Sequence, residues 1–184
     1  MTARRIVAVS GSLSRPSRTK LLVSEVARQI HARIGGNLTF VDVAEIAPGL
    51  GQTFARPSTS QQVEQALASI EQADIVVAGS PIYKGSYSGF FKHLIDLVEY
   101  RALAGVPVAL LATGGSERHA LAVEHQMRPL FGSFDAHTLP TAVFALDKTI
   151  GPDGQVSDDQ VRARIEQLVR EAAGALSVPA AAAA

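Results

Sequence analysis

The sequence contains no cysteine and no tryptophan among its 184 residues. Without cysteine, the chain can form no disulfide, thiolate metal site or cysteine nucleophile. Charge of either sign is not in excess, because 17 Lys and Arg residues balance 17 Asp and Glu residues. This balance disfavours a polyanionic partner such as nucleic acid, and it also disfavours a strongly acidic electron carrier.

Long apolar runs are missing as well. No stretch approaches the ~20 consecutive apolar residues that a membrane-spanning helix needs. The apolar run at residues 6–9 is too short for a signal peptide. We therefore expect a soluble, cytoplasmic protein with no membrane partner and no metal. The length predicts a single domain over residues 1–176, followed by a disordered tail at 177–184.

Short apolar segments alternate with helical patterns along the chain. The predicted strands are 6–9, 38–43, 73–79, 106–112 and 136–146, the last of which Pro140 can break into two pieces. The predicted helices are 17–34, 59–72, 90–97, 117–134 and 157–176, with Ser157 as the cap of the last. Residues 44–58 are predicted to form a long loop. This alternation predicts an α/β fold with a doubly wound parallel sheet of five strands and helices on both faces.

The loop after the first strand is rich in hydrogen-bond donors. It carries four hydroxyl residues and two arginines, which are Ser10, Ser12, Ser17, Thr19, Arg15 and Arg18. A helix begins there, and a helix N-terminus offers unpaired N–H groups and the positive end of a dipole. The loop therefore favours a phosphate site. The alternative is an ordinary strand-to-helix turn in which Ser17 is only the N-cap.

The glycine patterns of nucleotide-binding loops are absent from this segment. Only Gly11 is present, so neither the dinucleotide fingerprint nor a Walker loop can be formed. The loop therefore suits a terminal phosphate monoester such as that of FMN. Asp42, at the end of the second strand, can grip a ribose in dinucleotide folds, but without those glycines a solvated strand end is favoured.

Two further loops follow the third and fourth strands, at residues 80–89 and 113–116. In a doubly wound sheet ligands bind beyond the carboxyl ends of the strands, so these loops are expected to meet the first one. The segment 81–83 can lay backbone along a flavin ring, and Gly114 and Gly115 let N–H groups approach closely. The alternative is that Pro81 and the glycines only turn the chain.

Three motifs together resemble the NAD(P)H-dependent FMN reductases of the flavodoxin-like superfamily. They are Gly-Ser-x-x-Arg-x-Ser at 11–17, Pro-Ile-Tyr-Lys-Gly-Ser-Tyr-Ser-Gly at 81–89, and Ala-Thr-Gly-Gly at 112–115. The likeness covers about residues 4–175. Part of the fifth predicted helix is most similar to the reductase components of two-component alkanesulfonate and methanesulfonate monooxygenases. This part is the sequence Leu-Ala-Val-Glu-His-Gln-Met-Arg-Pro-Leu at 121–130.

The resemblance implies a flavodoxin-like sheet of order 2-1-3-4-5 and a reaction. NADPH or NADH would reduce FMN, and reduced FMN would pass to a partner monooxygenase in sulfonate sulfur assimilation. No catalytic acid or base is assigned, since the cofactor carries the chemistry. The phosphate would be held by Ser10, Ser12, Ser17, Arg18 and Thr19. The ring would be held by Pro81, Ile82, Tyr83, Lys84, Thr113, Gly114, Gly115 and Ser116.

The fourth and fifth helices carry more apolar residues than one sheet face needs. These residues are Phe90, Phe91 and Leu94 on one helix, and Leu121, Met127, Leu130 and Phe134 on the other. They predict a homo-oligomer, a dimer or a tetramer, with the tetramer favoured as the resemblance also implies.

Pro129 lies four residues after His125 in the fifth predicted helix. Because proline has no N–H, the carbonyl of His125 loses its helical partner, and the helix either kinks or takes in an extra residue as a π-bulge. The resemblance implies a bulge at a subunit interface, although the subgroup often has Tyr where this chain has His125. Our hypothesis is that His125 is the inserted residue and that the bulge loosens the flavin site, so that reduced FMN can depart.

Two other functions remain open at this point. One is a quinone or azo-dye reductase that keeps FMN bound, and the other is a flavodoxin-like electron carrier. The neutral charge and the lack of tryptophan count against the carrier. The residues do not decide between NADH and NADPH.

Overall fold

The computed structural model describes residues 3–177, and its centre is a single sheet with helices on both faces. The strands are β1 (Arg5–Ser10), β2 (Asn37–Asp42), β3 (Ile75–Tyr83), β4 (Ser86–Tyr87), β5 (Pro107–Gly114), β6 (His137–Thr138) and β7 (Val143–Leu146). The α-helices are α1 (Arg18–Ile34), α2 (Val43–Leu50), α3 (Gln61–Glu71), α4 (Gly89–Asp96), α5 (Arg128–Gly132) and α6 (Asp159–Ser177). A π-helix spans Val123–Met127, and short 3-10 turns span Arg56–Ser58, Glu117–His119 and Asp147–Thr149.

The sheet has seven strands rather than the five predicted. The parallel strands run in the order β2-β1-β3-β5-β6, and β7 also pairs with β5 beyond the end of β6. The predicted fifth strand is thus two pieces at one position in the sheet, with Pro140 between them. The predicted order 2-1-3-4-5 is confirmed for these five positions. The extra strand β4 forms a small antiparallel hairpin with β3, and its turn needs positive φ at Lys84 and Gly85.

The two faces of the sheet have separate apolar cores. Strand β1 shows the alternation that produces them, because Val7 and Val9 face one core while Ile6 and Ala8 face the other. Helices α1 and α6 cover the second core, and the helices from α2 to α5 cover the first. Strands β3 and β5 are buried on both faces, as their nearly continuous apolar sequences predict.

Three predicted boundaries are wrong. The third strand, predicted at 73–79, continues to Tyr83 as β3, so residues 80–83 are strand rather than loop. Residues 44–58 are not one loop, because Asp42 caps α2 by accepting a hydrogen bond from the N–H of Ala44 at 3.1 Å. Ile46 and Leu50 bury one face of this short helix, whose Gly and Pro content conceals it in the sequence. The last helix is capped by Asp158, which accepts from two backbone N–H groups, whereas Ser157 bonds to the carbonyl of Thr149.

The single domain predicted over 1–176 stays a prediction. Of the tail predicted at 177–184, Ser177 ends α6, and residues 178–184 lie outside the described part of the chain. Within residues 3–177, no helix is both long and apolar enough to cross a lipid bilayer.

Candidate functional site

The carboxyl ends of β1, β3 and β5 lie side by side at one edge of the sheet. Ser10 is paired with Gly79, and Pro81 is paired with Thr113 two residues further along β3. The three segments predicted as loops, 10–17, 80–89 and 113–116, therefore begin next to one another. The hydroxyls of Thr19, in the first turn of α1, and Thr113 are 2.8 Å apart and connect the start of α1 to the end of β5.

The loop 10–17, called the phosphate loop below, leads into the N-terminus of α1. Ser17 is the N-cap, because its hydroxyl accepts from the N–H of Lys20 at 3.1 Å. Ser12 is also buried, and its hydroxyl accepts from the N–H of Ser14. Ser10 is only 3% exposed, and its Oγ has no hydrogen-bond partner within residues 3–177. A buried hydroxyl without a partner costs about 1–3 kcal/mol, so Ser10 fits a site that a ligand oxygen completes.

The two arginines of the phosphate loop have different surroundings. Arg15 forms ion pairs with Asp42 at 3.1 Å and Glu45 at 3.8 Å, and Lys20 contacts the same two carboxylates. Arg18 is half-buried at the start of α1 and has no carboxylate partner in the described part of the chain. Arg18 is therefore the arginine whose charge is available to a phosphate.

Asp42 is not the solvated strand end that the sequence favoured. Its side chain is 5% exposed, and it accepts from Lys20 at 2.7 Å while it also caps α2. Burial is tolerated because two cations and a backbone N–H satisfy the carboxylate. Hydrogen bonding to Asp42, opposed by burial, raises the pKa of Lys20. The charges of this group hold the phosphate loop against α2.

The predicted ring-binding residues lie at the ends of β3 and β5 and in the turns that follow these strands. Pro81, Ile82, Thr113 and Gly114 are buried, Ser116 is half-buried, and Tyr83, Lys84 and Gly115 are exposed. Residues 80–84, which are the end of β3 and the first residue of its hairpin turn, are called the ring loop below. In the ring loop, Tyr83 Oη lies 3.5 Å from Ser14 Oγ of the phosphate loop. Ser116 caps the following 3-10 turn by accepting from the N–H of Arg118. The structure brings both sets of predicted residues to one edge, and their contacts with a ligand stay predictions.

Sequence reasoning missed two buried serines that connect these loops. Ser80 and Ser88 are 0% and 6% exposed, and their hydrogen bonds reach Gly11 and Pro81. The start of α4 predicts Ser88 as an N-cap, but no local pattern reveals its contact with a residue 77 positions earlier.

The predicted helix 117–134 is wrong, because this segment is a 3-10 turn, a π-helix and α5. The N–H of Arg128 bonds to the carbonyl of Val123, five residues back, which is the π pattern. Of the two alternatives for the damaged helix, the structure thus has the π-bulge, immediately before Pro129. His125 lies within it and is exposed.

The π-helix is held on both sides. Arg128 pairs with Glu124 and donates to the carbonyl of Leu139 at 2.9 Å. This pairing holds the pKa of Glu124 below its ordinary value. On the other side, Ser86 of the β3–β4 hairpin donates to Gln126 at 3.2 Å. The π-helix therefore contacts the segment that continues from the ring loop.

The apolar residues from which an oligomer was predicted are mostly used within the chain. Phe91, Leu94, Met127 and Phe134 are buried in its own core, and Phe90 and Leu130 are partly buried. Leu121 alone among the seven is largely exposed, at 63%. That premise for an oligomer is therefore wrong.

The chain matches the family model described as NADPH-dependent FMN reductase over residues 4–151. It is 43% identical to the NADH-dependent FMN reductase SfnF of Pseudomonas putida, over 98% of this chain and 97% of that protein. It is 40% identical to an FMN reductase (NADPH) of Pseudomonas aeruginosa, over 92% and 90%. The apo structure of the NADH:FMN oxidoreductase EMOB superposes with a TM-score of 0.85 at 28% identity, covering 98% and 92% of the two chains.

The chain belongs to the NADPH-dependent FMN reductase family. This membership confirms the predicted family, the enzyme class of NAD(P)H:FMN oxidoreductase, and the predicted use of FMN and a nicotinamide cofactor. Within residues 3–177 no three His, Asp or Glu side chains are grouped as a metal site.

Proposed function

We propose that the protein reduces FMN with NADH or NADPH at the edge formed by the phosphate loop, the ring loop and residues 113–116, and that it supplies reduced FMN to a monooxygenase. The observation that carries this proposal is the unpartnered, buried hydroxyl of Ser10 beside the N-terminus of α1. That position suits a phosphate oxygen, and the loop lacks the glycines of a dinucleotide site.

The phosphate is held by groups that α1 and β1 present together. Ser10 and Ser12 offer hydroxyls, the first turn of α1 offers N–H groups, and Arg18 offers the positive charge. Ser17 shapes the turn as its N-cap, and Thr19 fixes α1 to the end of β5 through Thr113. Since most of these groups are already ordered by the fold, little entropy is lost when the ligand binds.

The ring is held by backbone rather than by ionisable groups. Pro81 and Ile82 give a rigid, buried edge, while the exposed Gly115, which has no side chain, leaves its N–H group accessible. Tyr83 and Lys84 are exposed at the mouth of the site, where they can cover a nicotinamide stacked on the ring. Bound FMN supplies the hydride-accepting atom, so the chain contributes orientation and exclusion of water.

Release of the product and assembly form the second part of the proposal. The π-helix, with His125 as its inserted residue, contacts the β3–β4 hairpin through Gln126 and Ser86, and through this hairpin it loosens the ring loop. Exposed Leu121, two residues before the π-helix, suits a contact between copies of the chain, so we propose a homo-oligomer, with a tetramer favoured. A monomer mass in sedimentation at micromolar concentration would contradict the assembly.

The sulfonate link rests on the motif at 121–130, and the likeness to the NADH-dependent FMN reductase SfnF supports the reduction of FMN. We propose that the reaction takes place in the cytoplasm, where the reduced nicotinamide cofactors are available.

The proposal is tested by NADH and NADPH oxidation with and without added FMN. We expect the protein to be colourless after dialysis and to oxidise NADH or NADPH only when free FMN is added. Protein that stays yellow and reduces quinones or azo dyes would indicate an FMN-retaining reductase, and FMN binding without NAD(P)H oxidation would indicate an electron carrier.

A further inference from the structure

A buried serine joins the two loops that the proposed function assigns to opposite ends of FMN. The hydroxyl of Ser88 donates to the carbonyl of Gly11 in the phosphate loop at 2.5 Å. The same hydroxyl accepts from the N–H of Phe91 at 3.1 Å and so caps α4. Since Ser88 is only 6% exposed, water does not compete freely for either bond.

A second serine continues this connection to the ring loop. The N–H of Ser88 donates to Ser80 Oγ at 2.9 Å, and Ser80 in turn donates to the carbonyl of Pro81 at 3.0 Å. Ser80 is fully buried at the carboxyl end of β3. The hydrogen bonds therefore run without interruption from Gly11, through Ser88 and Ser80, to Pro81.

The phosphate loop also packs closely on α4. A Cβ atom added at Gly11 would lie 2.6 Å from Phe91 Cβ, which is closer than two carbon atoms can approach. The N–H of Gly11 donates to the carbonyl of Gly79 in β3 at 2.8 Å. The backbone of Gly11 is thus fixed by β3 on one side and by the first turn of α4 on the other.

We propose that Ser88 is a positioning residue for FMN binding, which holds the phosphate loop and the ring loop in register so that one ligand can use both. This inference rests on the proposed function, since it takes FMN as the ligand. Ser88 itself is buried and is assigned to neither end of FMN, since its hydroxyl is bonded to Gly11 and Phe91. Without its hydroxyl, the carbonyl of Gly11 and the N–H of Phe91 lose their partners, and the two loops are free to move relative to each other. Each loop then still recognises its part of the ligand, but FMN loses the advantage of binding both at once.

The test compares FMN with its parts on Ser88→Ala protein, without any nicotinamide cofactor. Lumiflavin serves as the ring part, inorganic phosphate as the phosphate part, and binding is followed by flavin fluorescence and by competition. The Kd for FMN is expected to rise about ten-fold or more, the size of a lost buried hydrogen bond. The Kd values for lumiflavin and phosphate should each change about two-fold or less. Ser88→Thr retains the hydroxyl and should bind FMN like the parent.

Ser60→Ala is the matched control for the loss of a helix cap. Ser60 caps α3 by accepting from the N–H of Val63, and no hydrogen bond connects its side chain to either loop. This variant should lose stability but keep all three affinities. If Ser88→Ala does not fold, Ser80→Ala interrupts the same connection and should show the same selective loss of FMN.

A measurement on the parent protein tests the inference without any variant. Lumiflavin alone should slow amide hydrogen exchange in the phosphate loop as well as in residues 80–88, because the serines connect the two segments. Protection confined to 80–88 would overturn the inference. So would losses of lumiflavin or phosphate affinity in Ser88→Ala equal to the loss of FMN affinity. Failure of the parent to bind FMN would overturn the proposed function instead.

Discussion

Arg15 and Arg18 lie three residues apart, but only Arg18 has its charge free for a ligand. Arg15 is already paired with Asp42 and Glu45. We expect Arg18→Ala to weaken FMN binding by about 1.5–3 kcal/mol, or roughly 10- to 150-fold, if it makes a charge-assisted bond to the phosphate. Riboflavin, which lacks the phosphate, should be affected much less.

Arg15→Ala is the matched comparison for this prediction. It removes the same charge from the same loop, yet it should weaken FMN binding less, because its guanidinium is neutralised by the two carboxylates. Titration of both variants with FMN and riboflavin separates these effects. Equal losses for FMN and riboflavin in Arg18→Ala would contradict the assignment.

Gly11 is the residue at which close packing leaves no room for a side chain. In Gly11→Ala the added Cβ would meet the side chain of Phe91 at 2.6 Å, so the phosphate loop must shift away from α4. We expect a loss of about 1–3 kcal/mol in the free energy of unfolding, together with weaker FMN binding. The control is Gly174→Ala in α6, where nothing lies within 4 Å and the better helix propensity should stabilise the protein. Urea unfolding compares the two variants, and an unchanged stability of Gly11→Ala would show that the loop yields without cost.

The roles of individual residues could be predicted from the sequence where they depend only on neighbouring residues in the chain. The hydroxyls of the phosphate loop and the N-cap Ser17 follow from a strand end beside a helix start. Asp42 could not be assigned correctly, because its burial depends on cations contributed by another element. The partner of Ser88 is likewise far away in the sequence, and only the packing of α4 on the phosphate loop brings it close.

Among the elements, the π-helix has the clearest functional prediction. Deleting His125 should let the N–H of Arg128 return to ordinary α-helical spacing. The segment would then no longer loosen the ring loop, and the protein should hold FMN through dialysis and stop supplying free reduced flavin. His125→Ala is the control, since it removes the same side chain but keeps the inserted residue.

The measurements for this prediction are the flavin absorbance after dialysis and the transfer of reduced flavin to a monooxygenase. Only the deletion should change them. A deletion variant that folds, stays colourless and turns over FMN like the parent would show that the bulge has no part in release. If His125→Ala behaves like the deletion, the imidazole rather than the spacing is responsible.

Strong periodicity made most elements predictable, and its interruption explains the errors. Strands β3 and β5 are apolar throughout because helices cover both of their faces. In the segment 117–134 the apolar spacing continues through Pro129, so the pattern resembles one long helix although the backbone changes its hydrogen bonding. The hairpin strand β4 has only two residues, too few to produce a periodic signal.

At the scale of the whole molecule, the sheet order followed from the resemblance rather than from any local pattern. Pairing of β1 with both β2 and β3 joins segments that are distant in the sequence, and side-chain periodicity does not specify the neighbours of a strand.

The connections around the sheet are also fixed by ion pairs. Arg56 takes part in two of these ion pairs, because its guanidinium donates hydrogen bonds to Glu64 and Glu71. It also donates to the carbonyl of Leu97. It therefore holds the chain after α2 and the chain after α4 against α3.

This cluster predicts how the stability of the protein depends on pH. Burial alone would raise the pKa of Glu71, but hydrogen bonds from Arg56 and from the N–H of Glu99 lower it below its ordinary value of 4.5. A carboxylate whose pKa is lower in the folded state stabilises the fold above its unfolded pKa, and this contribution disappears as the pH falls through the folded pKa. In Glu71→Gln the free energy of unfolding should therefore drop by about 1–3 kcal/mol near pH 7, where the parent has the charged pair.

The difference between Glu71→Gln and the parent should then narrow as the pH is lowered from about 5 to about 3, because the parent loses the same charge by protonation. Other acidic residues with lowered pKa values, such as Glu124 and Glu171, are common to both proteins and cancel in the comparison. Glu166→Gln is the control, since Glu166 is exposed on α6 and makes no ion pair within the described residues. Urea unfolding at each pH and at fixed protein concentration measures the gap. A gap that stays constant down to acidic pH would mean that Glu71 stabilises the fold by its shape and packing rather than by its charge.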